Sequence, residues 1–194
     1  MIKSFLITAL VLLTVSFNQT SIAEEAPSYQ SEALLPRGWP QPGPFDVVSQ
    51  KEFPAYRAAY TQGAWKNFTF VRLFKHIKRE GIPMTAPVEM NMEQNETGGK
   101  MKSMGFLYQN TKVGKLGKDG EKIEVRDVPI MKTLCYTWQG KNSAAQRKVA
   151  LEALNEALKK HGIVSQDFRV LGYNGPSVPN EKKTWEMLAV LPSK

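Results

Sequence analysis

The sequence has little of the chemistry on which many enzymes and metal sites depend. Of its 194 residues, one is cysteine and two are histidine. The lone thiol of Cys135 excludes an internal disulfide, so the fold must be held by a hydrophobic core. The sequence has no paired-cysteine metal motif, no His-Glu-x-x-His and no Gly-x-Ser-x-Gly. These absences exclude the common signatures of zinc sites and serine hydrolases, and Cys135, between two apolar residues, is expected to be a buried thiol.

A long hydrophobic run is also missing. Residues 5–15 form an uncharged apolar stretch, but a membrane-spanning helix needs about 20 such residues. Lys3 precedes this stretch and small residues lead to Ala23, as in a cleaved secretory signal. The sequence therefore predicts a signal peptide over residues 1–23 and a periplasmic or secreted protein. No cysteine follows the predicted cleavage site, so no stable membrane anchor is expected.

The remainder of the chain is basic and has the length of one domain. Removal of Lys3 with the signal lowers the formal net charge from +8 to +7, which favours anionic partners. Because an exported protein rarely meets nucleic acid, we expect none as a partner, and we expect a monomer. Residues 24–44 are rich in proline and glycine and show no apolar period. They are predicted to form an extended arm before a domain over residues 45–194.

The domain contains an internal duplication. Glu52–Gly63 and Asp127–Gly140 share an acidic residue, a proline between apolar positions, a basic residue and a closing Gln-Gly. Each is followed by a predicted helix and two strand-like stretches. Neither unit could bury its helix alone, so we expect an α+β fold. In this fold, two strand-strand-helix-strand-strand repeats share one antiparallel sheet or distorted barrel, with two flanking helices.

Both predicted helices have recognisable ends. The first covers about Asn67–Glu80, and Gly81 stands where a left-handed residue ends a helix. In the second, Ser143 with Gln146 forms a capping box, and Gly162 ends the helix. The first helix has an apolar face with the period of 3.6 residues, formed by Phe70, Leu73, Phe74 and Ile77.

Two stretches resemble the SOUL family of haem-binding proteins. They are "FTFVRLFKHIKREGIPMTAPVEM" and, much later, "YNGPSVPNEKKTWEM", and the resemblance covers about residues 45–191. The motif positions are Ile82, Met84, Thr85, Pro87 and Val88. The resemblance implies a distorted antiparallel barrel with two helices, built from two repeats. It also implies non-enzymatic binding of haem or another tetrapyrrole in a shallow apolar cleft, for sequestration or transfer.

Six residues around this motif are candidates for ligand contact. Tetrapyrroles carry carboxylates that guanidinium groups can bind at two points, and methionines could form a soft apolar wall. His76 lies at the edge of the apolar face, where it could be an axial ligand of haem iron or a boundary histidine paired with Glu80. The predicted site residues are Arg72, His76, Arg79, Met84, Met90 and Met92.

The methionines of the strand after the motif allow three interpretations. Alternation places Val88, Met90 and Met92 on one face and Glu89 on the other. The methionines could pack under the helices, line a cleft for a planar apolar ligand, or offer thioethers to Cu(I). The same alternation predicts that Met101 and Met104 of the next strand lie on opposite faces, which weakens the copper interpretation.

Two further functions remain open from the sequence. The chain could bind an apolar anion other than a tetrapyrrole, since cations and apolar residues are the only requirements. A hydrolase would need a base in the cleft, and Glu89 or Glu124 is the residue to examine.

Overall fold

The structure is a computed structural model that describes residues 26–61, 68–93, 100–165 and 167–192. The predicted signal peptide lies outside these ranges. The described part is α+β, as predicted, with two α-helices and one antiparallel sheet that does not close into a barrel. No helix among the described residues is both long and apolar enough to cross a membrane.

Eleven regular elements follow one another along the described chain. They are β1 (Val48–Phe53), β2 (Tyr56–Thr61), α1 (Thr69–Arg79), β3 (Val88–Met92), β4 (Met101–Leu107), β5 (Gly117–Asp119), β6 (Ile123–Val128), β7 (Met131–Gln139), α2 (Ala144–Lys160), β8 (Phe168–Gly172) and β9 (Thr184–Val190). A 3-10 turn, Asn180–Lys182, precedes β9. The strand order in the sheet is β1-β7-β9-β8-β3-β4-β2-β6-β5.

The strand order shows the duplication that the sequence predicts. The first repeat is β1-β2-α1-β3-β4 and the second is β6-β7-α2-β8-β9. The two halves of the sheet mirror each other about the β8–β3 pair, with only β5 added at one edge. The first strand of each repeat pairs with a strand of the other repeat. In the first repeat β1 pairs with β7, and in the second repeat β6 pairs with β2. The repeats are therefore interlocked.

The short connection between β1 and β2 requires a strongly curved sheet. Only Pro54 and Ala55 join these strands, although five strands lie between them in the sheet. Three residue steps span at most about 11 Å. Six strand spacings across a flat sheet would span about 29 Å. The sheet must therefore curl around an inner face, which gives it the shape of an incomplete barrel.

The two helices end in the same way. Gly81 has φ +64° and Gly162 has φ +65°. Each glycine and the residue after it donate to carbonyls of the last helical turn, in the Schellman arrangement. At the start of α2, the Ser143 hydroxyl accepts a hydrogen bond from the Gln146 backbone, which is one of the two bonds of the predicted capping box.

The sheet separates three clusters of buried side chains. On the outer face, α2 covers one half of the sheet around Leu154 and Leu158, and α1 covers the other half around Leu73 and Ile77. The inner face forms a third cluster.

The inner face is covered in part by the segment predicted to be an arm. Trp39 is 6% exposed and its ring packs edge-on against Phe53 and Tyr56. Its indole nitrogen donates to the Tyr173 hydroxyl at 3.3 Å. Leu34 accepts a backbone hydrogen bond from Ala86. Residues 26–44 therefore contribute to the core of the domain.

One prediction about strand faces is wrong. Along β3 and β4, Met90 is paired with Met104, but the register shifts after Asn91 so that Met92 is paired with Met101. Directly opposed residues project from the same side of a sheet. The register shift leaves Lys102 without a paired residue on β3. Met101 and Met104 therefore project from the same face of the sheet.

Candidate functional site

The surface of α1 carries an apolar stripe that the sheet does not cover. The helix buries Leu73 and Ile77 against the sheet. Phe70 and Phe74, four residues apart, remain 43% and 38% exposed, with ring centroids 6.2 Å apart. We use the name α1 stripe for the exposed residues Phe68, Phe70, Val71, Phe74 and Met84. Phe70 stacks with Phe74, and Phe74 and Met84 line one pocket, so these side chains form a candidate surface for interaction.

The α1 stripe ends in a shallow apolar pocket of about 350 Å³. The left-handed turn at Gly81 folds the chain back, so that Pro83 and Met84 stand beside the last turn of the helix. The Lys78 ammonium lies 5.4 Å from the centre of the Phe74 ring, a cation–π contact at the rim. The remaining lining residues are Ile77 and Ile82.

On the other side of α1 lies a basic pocket of about 380 Å³. Arg72, Lys75 and Arg79 project into it from successive turns of the helix. The opposite wall is the β5–β6 turn, from Asp119 to Ile123. The Arg79 guanidinium forms an ion pair with Asp119 and another with Glu80 at 3.1 Å. Arg79 is therefore engaged by two carboxylates, and Arg72, Lys75 and Lys122 are the other cations that line this pocket.

His76 is buried at the base of the basic pocket with both ring nitrogens occupied. Nδ1 lies 2.5 Å from Asp119 and Nε2 lies 2.7 Å from the Tyr108 hydroxyl. A carboxylate only accepts, so Nδ1 carries the proton. Hydrogen bonds from Arg79 and then from His76 hold the pKa of Asp119 below its ordinary value. Burial raises the pKa of Tyr108 to about 12.

The six predicted site residues fall in three places. Arg72, His76 and Arg79 line the basic pocket together. Met84 lies in the apolar pocket on the other side of α1. Met90 and Met92 pack against the α2 cluster, in the other half of the molecule.

Sequence reasoning missed the exposure of Phe70 and Phe74. It placed them on the same apolar face as Leu73 and Ile77, whereas the helix buries only the latter pair. The available signal was the width of the apolar face, which is greater than one side of a sheet can cover. The pairing of His76 with Asp119 was also missed, because β5 is distant in sequence from α1.

The inner face holds a buried charge cluster that bears on the hydrolase alternative. Glu89 is 1% exposed and accepts from the hydroxyls of Tyr56 at 2.5 Å and Tyr60 at 3.1 Å. Arg169 lies 3.4 Å from the same carboxylate and also donates to Tyr56. Burial, followed by the charge of Glu89, raises the pKa of both tyrosines. The carboxylate is thus engaged by three partners.

A second buried carboxylate lies two strands away. Glu186 accepts from Thr137 and Tyr173, each at 2.8 Å, and forms an ion pair with Lys51. Glu186 and Glu89 both oppose Leu171 in the sheet. Each buried carboxylate is paired with one cation, Glu89 with Arg169 and Glu186 with Lys51, because an unpaired charge is costly in the interior of a protein.

Comparisons with known proteins agree with this architecture. The family model described as SOUL heme-binding protein matches residues 43–189. No curated protein sequence matches the chain. The EcmrR C-terminal domain has a similar fold, with a TM-score of 0.54 at 15% identity over 76% of this chain and 98% of that one.

Two proteins from Listeria innocua are similar at the same level. One is described as a hydrolase, with a TM-score of 0.54 at 8% identity. The other is an uncharacterized conserved protein, with a TM-score of 0.56 at 9% identity. Each likeness covers 76% of this chain and 93% of the other. At these identities the likenesses show the fold alone.

Proposed function

Because this chain belongs to the SOUL heme-binding protein family, we propose that it binds haem or another tetrapyrrole on the surface of α1. The observation that carries the proposal is the α1 stripe, with the aromatic rings of Phe70 and Phe74 partly exposed and cations on both sides. The family is defined by binding rather than by catalysis, so we propose a non-enzymatic role.

The chemistry of the α1 stripe fits a flat apolar ring that carries carboxylates at its edge. A tetrapyrrole ring offers a flat face that stacks on aromatic and thioether groups. Its carboxylates need cations at the edge of the apolar contact, and Lys75 and Lys78 stand there on adjacent turns of α1. The apolar pocket at Met84 would receive one edge of the ring.

Iron ligation by His76 stays a separate prediction. The imidazole would have to give up its hydrogen bond with Tyr108 or with Asp119 before a nitrogen could reach iron. The contacts of the α1 stripe do not depend on that change. Binding is therefore proposed to rest on apolar and charge contacts, with His76 holding α1 against β5.

The place and purpose of binding follow from the predicted signal peptide. A chain exported through residues 1–23 would meet haem outside the cytoplasm. Sequestration or transfer suits a shallow site, because an open surface releases its ligand to a partner more readily than a closed cavity.

The decisive experiment is a titration of the purified protein with hemin, followed by its Soret absorption. We expect saturable binding at micromolar protein, strongly weakened by Phe74→Glu. The matched control is Val149→Glu on α2, which is similarly exposed and lies away from the stripe. No saturable change in the wild type would refute the proposal.

Two further measurements separate the alternatives. If His76→Ala leaves the Soret spectrum of the complex unchanged, His76 is not the iron ligand. If hemin fails to bind while anilinonaphthalene sulfonate binds and Phe74→Glu abolishes its fluorescence, the site takes apolar anions of another class.

A further inference from the structure

The hairpin of β3 and β4 gathers four methionines on one face of the sheet. Met90 opposes Met104, and Met92 opposes Met101 after the register shift. Opposed residues have Cβ atoms about 4.5–5.5 Å apart. Each methionine side chain is unbranched with three rotatable bonds, so sulfur atoms starting from two adjacent pairs can converge.

The register that creates this group is held by specific hydrogen bonds. The Asn91 amide donates to the Ser103 hydroxyl at 2.9 Å on the opposite face, immediately beside the shift. The Met104 backbone donates to the Thr61 hydroxyl at 3.2 Å. These contacts fix the strand positions from which the sulfur atoms project.

The four methionines lie along the boundary between the two helix layers. Met90 and Met92 pack against the α2 cluster, and Met104 packs against the α1 cluster. All four methionines are partly exposed. An ion could therefore reach the sulfur atoms without unfolding, while the apolar walls would exclude competing oxygen ligands.

We propose that Met90, Met92, Met101 and Met104 form a binding site for Cu(I). Thioethers are soft neutral ligands that select Cu(I) over harder divalent ions. No group of three or more His, Cys, Asp or Glu among residues 26–61, 68–93, 100–165 and 167–192 is placed to hold a metal. Zinc, calcium and magnesium therefore have no comparable site in that part of the chain.

This site is independent of the proposed haem site. It uses no residue of the α1 stripe, and the ion is bound and released as Cu(I) without a redox step. Failure of hemin binding would leave the copper proposal standing, and the reverse also holds.

The test is competition for Cu(I) with bicinchoninate, whose Cu(I) complex is coloured. We expect the protein to withdraw one equivalent of Cu(I). Loss of a residue that only orients a metal ligand weakens metal affinity about 10- to 100-fold. Met101→Leu removes a proposed ligand and should therefore weaken Cu(I) affinity by at least that factor. The control is Met84→Leu, an exposed thioether outside the group, which should bind as the wild type does.

A second measurement identifies the ligands directly. With carbon-13 in the methionine methyl groups, Cu(I) should shift the signals of the four proposed ligands. The signal of Met131, which is buried in the cluster on the inner face, should stay in place. No withdrawal of Cu(I), equal binding by Met101→Leu, or shifts confined to other methionines would each overturn the proposal. Leucine conserves volume, so the variants should fold.

Discussion

Replacement of Arg169 by methionine should expose the energetic role of the inner charge cluster. Glu89 is 1% exposed and Arg169 carries the opposite charge at 3.4 Å, with its side chain 12% exposed. Breaking a buried pair by removing one partner costs about 3–5 kcal/mol. Since Tyr56 and Tyr60 would still donate to Glu89, we expect the lower end, about 3 kcal/mol.

The assay is urea unfolding of four proteins that form a double-mutant cycle. Glu89→Gln removes one charge-assisted hydrogen bond but leaves the Arg169–Asp167 ion pair at 2.6 Å in place. It should therefore lower the free energy of unfolding by about 1–2 kcal/mol. The double variant should be more stable than the sum of the single changes predicts, since no charge is left unpaired. The control is Arg37→Met at an exposed arginine, which should change stability by less than about 0.5 kcal/mol. Additive single effects would show that Arg169 and Glu89 are not coupled, which would refute this account.

Four further substitutions test other parts of the structure. Gly81→Ala and Gly162→Ala should each cost about 1–2 kcal/mol in unfolding free energy, because both glycines are left-handed with no neighbour within 4 Å of an added Cβ; a cost at one site only would contradict the matched helix ends. Trp39→Ala should cost about 3–5 kcal/mol in the same assay; an unchanged midpoint would mean that residues 26–44 lie outside the folding unit. For Asp119, whose pKa is lowered by Arg79, the stabilising contribution is present above an unfolded pKa of about 3.9 and is lost as the pH falls through the folded value. Asp119→Asn should therefore be less stable than the wild type at pH 7 and converge with it in acid, and a constant difference across pH would be inconsistent with this pairing.

Local patterns in the sequence were sufficient for the helix ends and the duplication. The Ser143 cap and the glycines at both helix ends fix backbone geometry within a few residues, so no distant contact is needed to predict them. Pro54 and Pro129, which hold matching positions in the two repeated segments, both lie between consecutive strands.

The candidate site was only partly predictable. Arg72, His76 and Arg79 follow one another at spacings of four and three residues. The helical period therefore predicts that they lie on the same side of α1. The helical period does not predict what faces that side, because Asp119 lies in β5 and Tyr108 directly follows β4. Met90 and Met92 were assigned to the same site from alternation alone, although β3 carries them towards α2.

The sequence by itself determined the family, the two repeats and the ends of the two helices, because those depend on residue patterns that are local along the chain. Tertiary structure alone decided which half of the sheet each helix covers, and therefore that Phe70 and Phe74 stay exposed. It also decided that Met101 joins Met104 on one face. Strand register is set by pairing between strands, and a shift of one residue reverses the direction of a side chain, which alternation along one strand cannot reveal.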